Sequence, residues 1–131
     1  MKKHILLGIS GGIATYKALD LVSKLKKDGY KITVIMTNNA TKFVNPITFE
    51  IISQNYVAED TFKNHIKGQV EHIELAKSAD LLIVVPATAN IIGKVANGIA
   101  DDILSTTIMA TKAVKIFAPA MNTIMYENDI V

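Results

Sequence analysis

Apolar positions along this chain fall into short unbroken runs separated by helix-period stripes, and that alternation organises everything else. The clearest run is Leu81-Leu-Ile-Val-Val85, stopped at Pro86. So short a run, rich in β-branched side chains and bounded by proline, predicts a strand buried on both faces of a parallel sheet. Comparable runs predict a first strand over His4 to Ile9, a second over Lys31 to Met36 and a later one over Val114 to Ala118, ending at Pro119. Between the first two, Ala18, Leu21, Val22 and Leu25 follow the i, i+3, i+4, i+7 spacing of a helix running from about Ile13 to Asp28, with Gly29 as its stop. Strand, helix and strand in that order make a β-α-β unit with a right-handed crossover.

The rest of the pattern is less regular. Pro46 opens a helix carrying Ile47, Phe49, Ile51 and Ile52, and Tyr56-Val57-Ala58 adds a short edge strand. Thr61 to Gln69 is polar and reads as loop, whereas Val70 to Ser78 reads as a short helix turning Val70, Ile73 and Leu75 or Ala76 inward. From Ile91 to Met109 the apolar positions describe two helices, broken near Gly98 and restarted with Asp101 or Asp102 as cap. They carry more apolar surface than one core-facing stripe needs. A deeply buried helix or a subunit interface would account for it. Together these elements predict an α/β fold: one Rossmann-like (flavodoxin-like) open parallel sheet with helices on both faces, in a single domain.

Composition narrows the class. At 131 residues the chain can bury a core of its own. Its longest apolar run, Leu81 to Ala87, is too short to span a bilayer, and Met1-Lys-Lys-His leads straight into a strand, with no signal-peptide pattern. Cysteine is absent, which removes disulfides, thiolate metal sites and a cysteine nucleophile from this stretch and suits a cytoplasmic protein. The net charge of +2 is spread over single lysines and gives no case for nucleic acid. Lys24, Lys26 and Lys27 are a solvated helix end. No cluster has metal-ligand spacing.

Candidate chemistry gathers where three strands end on the same edge of the predicted sheet, at Gly8-Ile-Ser-Gly-Gly-Ile13, Pro86-Ala-Thr-Ala-Asn90 and Pro119-Ala-Met-Asn122. Ligands of open α/β sheets sit in the crevice beyond such carboxyl ends. The glycine turn can present backbone N–H groups and a helix N-terminus to a phosphate, or serve simply as a tight turn. It is not the dinucleotide fingerprint: its glycines stand at 8, 11 and 12, and the second strand ends Met36-Thr-Asn-Asn39, without a carboxylate for a ribose diol. A single phosphate, as on a mononucleotide, suits it better than NAD. Asn90 and Asn122 can donate and accept hydrogen bonds but cannot move a proton at neutral pH. Of the three histidines, His4 and His65 read as incidental, and spacing alone makes His72 structural or superficial. Recognition groups without proton-transfer groups suggest that a cofactor carries the chemistry.

Pro86-Ala-Thr-Ala-Asn90, Gly93-Lys94, Gly98-Ile-Ala-Asp-Asp-Ile-Leu104 and Pro119-Ala-Met-Asn122, in register with the glycine turn and His72-Ile-Glu-Leu75, together resemble the flavin-containing cysteine decarboxylases. The nearest likeness is to their phosphopantothenoylcysteine branch, including the N-terminal part of the bifunctional coenzyme A biosynthesis protein. The resemblance runs from Lys3 to the last residues. It implies bound FMN, assembly as trimers and a small-molecule substrate, phosphopantothenoylcysteine. Ser10, Gly11 and Gly12 would then lie in the flavin-binding first turn, with Thr37 near it. Pro86, Ala87, Thr88, Ala89 and Asn90 would line the isoalloxazine, with Ser105 and Thr106 close to the cofactor. His72 would be the active-site base, and Asn122, with Met121 and Ala120, would bind the substrate carboxylate. The implied reaction oxidises the cysteinyl side chain to a thioaldehyde, from which carbon dioxide leaves. Relatives that decarboxylate a peptide's C-terminal cysteine, non-catalytic flavin-binding regulatory subunits and flavin prenyltransferase-like proteins are the rival readings. The chain ends at Tyr126-Glu-Asn-Asp-Ile-Val131 without the family's substrate-clamping segment and cysteine, so an incomplete domain is expected.

Overall fold

A computed structural model describes residues 2–60 and 73–131. Its centre is a five-stranded, all-parallel sheet in the order β3-β2-β1-β4-β5. The strands are β1 (His4–Ile9), β2 (Lys31–Met36), β3 (Val57–Glu59), β4 (Leu81–Ala87) and β5 (Val114–Pro119). The helices are α1 (Ala18–Lys27), α2 (Pro46–Ser53), α3 (73–78), α4 (Ala89–Ala96), α5 (Ile103–Ala110) and the short α6 (Thr123–Tyr126). Strand order reverses between β1 and β4, so the crevice expected in such a sheet opens beyond those two strands.

Alternation along β1 divides the core in two. Ile5, Leu7 and Ile9 point to one face, where Val34 and Met36 of β2 meet Ala18 and Val22 of α1 and Phe49 of α2. Leu6 points to the other, joining Leu82 and Val84 of β4 and Ile91, Ile103, Leu104 and Ile108 of α4 and α5. Every residue of β1 is buried. The sequence expectation of burial on both faces was attached to β4, but there Leu82 and Val84 are buried whereas Leu81, Ile83 and Val85 are only half-covered. The centre of the sheet belongs to β1.

Several local expectations are revised. The predicted helix from Ile13 begins as a 3₁₀ turn, Ile13–Lys17, and becomes α-helical only at Ala18. Its first residues are held by Thr15, whose hydroxyl donates to the Ser10 carbonyl and accepts from the Gly12 N–H, each at 3.0 Å. β4 does not stop at Pro86 but continues to Ala87, with an irregular register between Val84 and Ala87 where proline lacks the ladder N–H. β3 starts one residue later than Tyr56, and β5 includes Pro119. In α3, Leu75 and Ala76 are buried, but Ile73 is exposed rather than turned inward. Val70, His65 and the predicted 61–69 loop lie outside the described residues.

The break between α4 and α5 falls at Gly98, whose φ of +69° favours glycine. Asp102, not Asp101, caps α5: its Oδ1 accepts the Ser105 N–H at 2.7 Å. The apolar excess of this region resolves mainly as burial, since Ile103, Leu104 and Ile108 are enclosed, while Ile99 and Met109 remain exposed. Gly8 makes the close approach feasible. A Cβ there would stand 2.4 Å from Leu104 Cδ1, so α5 rests directly on the β1 backbone. Among the described residues no helix is long and apolar enough to cross a membrane.

Candidate functional site

Three strand ends are tied together by hydrogen bonds before any ligand is considered. The buried Ser10 hydroxyl donates to the Pro86 carbonyl and accepts the Thr88 N–H at 3.1 Å, joining the first turn to the loop after β4. The Ala120 N–H donates to the Ala87 carbonyl at 3.0 Å, joining that loop to the one after β5. On the other side, the Thr37 N–H donates to the Ile9 carbonyl at 3.0 Å, and the Thr37 hydroxyl accepts the Ala40 N–H at 3.1 Å. The segment after β2 is thereby folded back against the glycine turn.

Between these loops lies a cleft of about 600 Å³. Ser10, Gly11, Gly12, Thr37, Thr88, Ala89, Asn90, Ala120 and Met121, all expected from the sequence, line it together. The two glycines have different surroundings. A Cβ on Gly11 would stand 2.5 Å from Asn39 Nδ2 and 2.7 Å from the Asn39 carbonyl carbon, so that glycine is required by the neighbouring loop. A Cβ on Gly12 would meet nothing closer than Thr88 Cγ2 at 3.8 Å and would project into accessible space. Its backbone is extended, a conformation open to any residue.

Other expected residues stand back from the cleft wall. Pro86 and Ala87 are buried behind it and contribute the carbonyls just described. The Ser105 hydroxyl donates to Asp102 Oδ1 at 2.6 Å and accepts the Asp102 N–H at 3.1 Å, while Thr106 donates to the Ala100 carbonyl at 3.4 Å. Both therefore brace the start of α5, and it is Asp102 that reaches the cleft. Asn122 is exposed and caps α6, its Oδ1 accepting the Met125 N–H at 2.9 Å. Its NH₂ group has no partner among the described residues. His72 lies outside the described residues.

Sequence reasoning passed over Asn38, Asn39, Lys42, Asp60, Lys94 and Met125 as lining residues. Adjacency of β2 to β1 would have pointed to the first three, because the loop after β2 must then border the glycine turn. Lys94, on α4, pairs with Asp101 at 3.0 Å and Asp102 at 3.9 Å. The Asp101 hydrogen bond raises the Lys94 pKa, and the same contact lowers that of Asp101. Asp60 is engaged too, its Oδ2 accepting the Ile103 N–H at 3.0 Å. Lys42 is thus the cleft cation without an ion pair among the described residues. Beside Asp60, Glu59 buries Oε2 with no hydrogen-bond partner among the described residues, and burial, then repulsion from Glu50, raises its pKa. No group of three potential metal ligands occurs among the described residues.

Such a cleft offers backbone N–H groups, hydroxyls and amides with an apolar floor. It is suited to a planar ligand with a polar edge and a phosphate. The chain is 55% identical over 129 residues to the coenzyme A biosynthesis bifunctional protein CoaBC of Borreliella burgdorferi, covering 98% of this chain and 33% of the relative. It is 46% identical over 132 residues to the probable phosphopantothenoylcysteine decarboxylase of Streptococcus mutans, covering 99% and 74% respectively. It thus spans about a third of the bifunctional relative and about three quarters of the other. Among solved structures, the FMN-dependent cysteine decarboxylase SpaF superposes with a TM-score of 0.88 at 29% identity, over 98% of this chain and 74% of that one. The family model described as Flavoprotein matches residues 1–131, so the chain belongs to the flavoprotein family.

Proposed function

We propose that this chain is the FMN-binding, cysteine-decarboxylating unit of coenzyme A biosynthesis, a carboxy-lyase acting on 4′-phosphopantothenoylcysteine. The observation that carries the proposal is the 46% identity with a probable phosphopantothenoylcysteine decarboxylase along 99% of this chain. The cleft fits the cofactor. Its volume and its place at the strand-order reversal suit a flavin, and the open space at Gly12 leaves room for a phosphate against backbone N–H groups. FMN would supply the two-electron acceptor that cysteine oxidation requires.

The chain's own residues supply position and proton transfer. Gly11 and Gly12 bound the phosphate end, with Ser10 and Thr37 fixing the loops around it. Thr88, Ala89 and Asn90 face the ring, supported from behind by Pro86 and Ala87. Ser105 and Thr106 act through the Asp102 corner. Asn122 presents its NH₂ group to the substrate carboxylate, with Ala120 and Met121 beside it. His72 serves as base. The protein works in the cytoplasm as homotrimers. Exposed Ile13 and Tyr16 beside the first loop, and Ile124 and Tyr126 after the third, give the apolar surface for contact between copies. A monomeric mass by light scattering at micromolar concentration would count against that assembly.

The deciding experiment is anaerobic mixing of the flavin-loaded protein with 4′-phosphopantothenoylcysteine and, separately, with a peptide ending in cysteine. Bleaching of flavin absorbance and release of carbon dioxide with the small molecule alone are expected. Bleaching by the peptide alone would move the chain to the peptide-modifying branch, and bleaching by neither would reject the decarboxylase reading.

A further inference from the structure

We infer that Ser10 is a positioning residue whose hydroxyl locks the glycine turn to the loop after β4, setting the height of Thr88 to Asn90 over the cleft rather than touching the cofactor itself. The inference rests on the flavin reading above for its functional half and on geometry for the rest. Ser10 is buried, and its single hydroxyl proton is committed to the Pro86 carbonyl. The oxygen accepts the Thr88 N–H at 3.1 Å. One hydroxyl therefore satisfies two backbone groups, two residues apart, where Pro86 has no N–H of its own and β4 has lost register with β5. For the Thr88 N–H, which lies beyond the end of β4, Ser10 is the partner among the described residues. The Ser10 carbonyl is held in turn by the Thr15 hydroxyl at 3.0 Å, so the serine is anchored on the helix side as well.

The next link is Thr88, the N-cap of α4, whose Oγ1 accepts the Ile91 N–H at 3.5 Å. Its backbone dihedrals are fixed on one side by the Ser10 bond and on the other by the helix it starts. Ala89 and Asn90 follow directly and line the cleft. Removing the hydroxyl would take a partner from the buried Pro86 carbonyl and from the Thr88 N–H, and the loop would relax to hydrate them. Such a change alters the wall facing the ring and leaves the phosphate end at Gly12 in place.

The test compares wild type with Ser10→Ala. In flavin-free wild type, hydrogen exchange at the Thr88 amide should be slow, as for a bonded N–H. In the variant it should quicken by at least about tenfold, while Ile32 and Val34 in β2 keep their rates. Affinities for FMN and for riboflavin should fall by the same factor, about three- to tenfold, because the defect lies on the ring side. Loss confined to FMN would mean that Ser10 meets the phosphate directly, and the inference would be wrong. So it would be if Thr88 exchanged in wild type as fast as an open loop, a measurement that does not depend on the variant folding. Wild type that binds neither flavin, yet shows a protected Thr88, would reject the cofactor reading and the ring-side role while leaving the loop lock standing.

Discussion

Gly11 and Gly12 are neighbours in one turn and answer to different constraints. Gly11→Ala drives a methyl into Asn39 and should destabilise the flavin-free protein by about 1–3 kcal/mol, as overpacking does. Gly12→Ala meets only Thr88 Cγ2, at an ordinary contact distance of 3.8 Å, so its melting temperature should hold or rise slightly while FMN affinity drops by at least about tenfold. Thermal melts beside fluorescence titrations would expose the contrast, and a Gly12→Ala protein with undiminished FMN affinity would remove the phosphate from this turn. Two further substitutions divide labour at the substrate end. If His72 is the base proposed above, His72→Asn should retain FMN but abolish bleaching by substrate. Asn122→Asp should retain FMN but weaken substrate binding, because its carboxylate would repel the substrate's, a repulsion that water and salt reduce at this exposed position. Asp keeps an oxygen to cap α6, so the loop should survive the change. Stopped-flow traces at rising substrate concentration separate the two defects. A His72→Asn protein that still bleaches would transfer the proton step elsewhere.

At the scale of elements, α5 lies on β1 as closely as side chains permit. Gly8→Ala would place a methyl against Leu104, and Leu104→Ala would open a cavity costing about 2–5 kcal/mol. The first change should cost about 1–3 kcal/mol alone and much less in the Leu104→Ala background, where the cavity receives the methyl. Urea denaturation of the four proteins tests this; strict additivity would mean that the two positions do not touch. The same packing explains what was legible in the sequence. Parallel strands announce themselves as apolar runs, and β1, β2, β4 and β5 lie within two residues of where the pattern places them. The glycine, Pro-Ala and Asn motifs located three loops correctly at one edge, because strand direction alone decides that. Hydrophobic period could not say which strand is central, and so assigned two-faced burial to β4 instead of β1. Nor could it show Ile73 facing out, since one apolar residue at the start of a six-residue helix has no stripe to orient it. The backs of the loops were hidden for another reason. Ser105 and Pro86 act through bonds to residues distant in sequence or through caps, and no spacing rule encodes those.

In the molecule as a whole, one pH-sensitive group, His4, sits at the opposite end of the sheet from the cleft, in or beside which Glu59 and Lys94 also have shifted pKa values. His4, at the start of β1, is buried, with Nε2 2.7 Å from Thr33 Oγ1 and Nδ1 3.1 Å from Ser78 Oγ. Asn55 donates to Thr33 Oγ1 at 3.0 Å and Ser78 donates to the Leu75 carbonyl at 3.0 Å, so the chain of donors is complete with a neutral ring protonated at Nδ1. Burial, then the charge of Lys31, lowers the His4 pKa below its ordinary 6.5. As pH falls the unfolded chain takes up the proton first. The stabilisation is therefore full above 6.5 and is lost as pH drops through the lowered folded value. Urea midpoints should decline over that window in wild type and lose that component in His4→Gln; an unchanged decline would assign it to other groups. β1 separates this network from the glycine turn by roughly 20 Å, the length of six extended residues. Evolution can therefore retune the His4 share of acid tolerance without renegotiating what the protein binds. Variants adapted to different cellular pH are free to differ at the rear edge of the sheet while the front edge stays chemically the same.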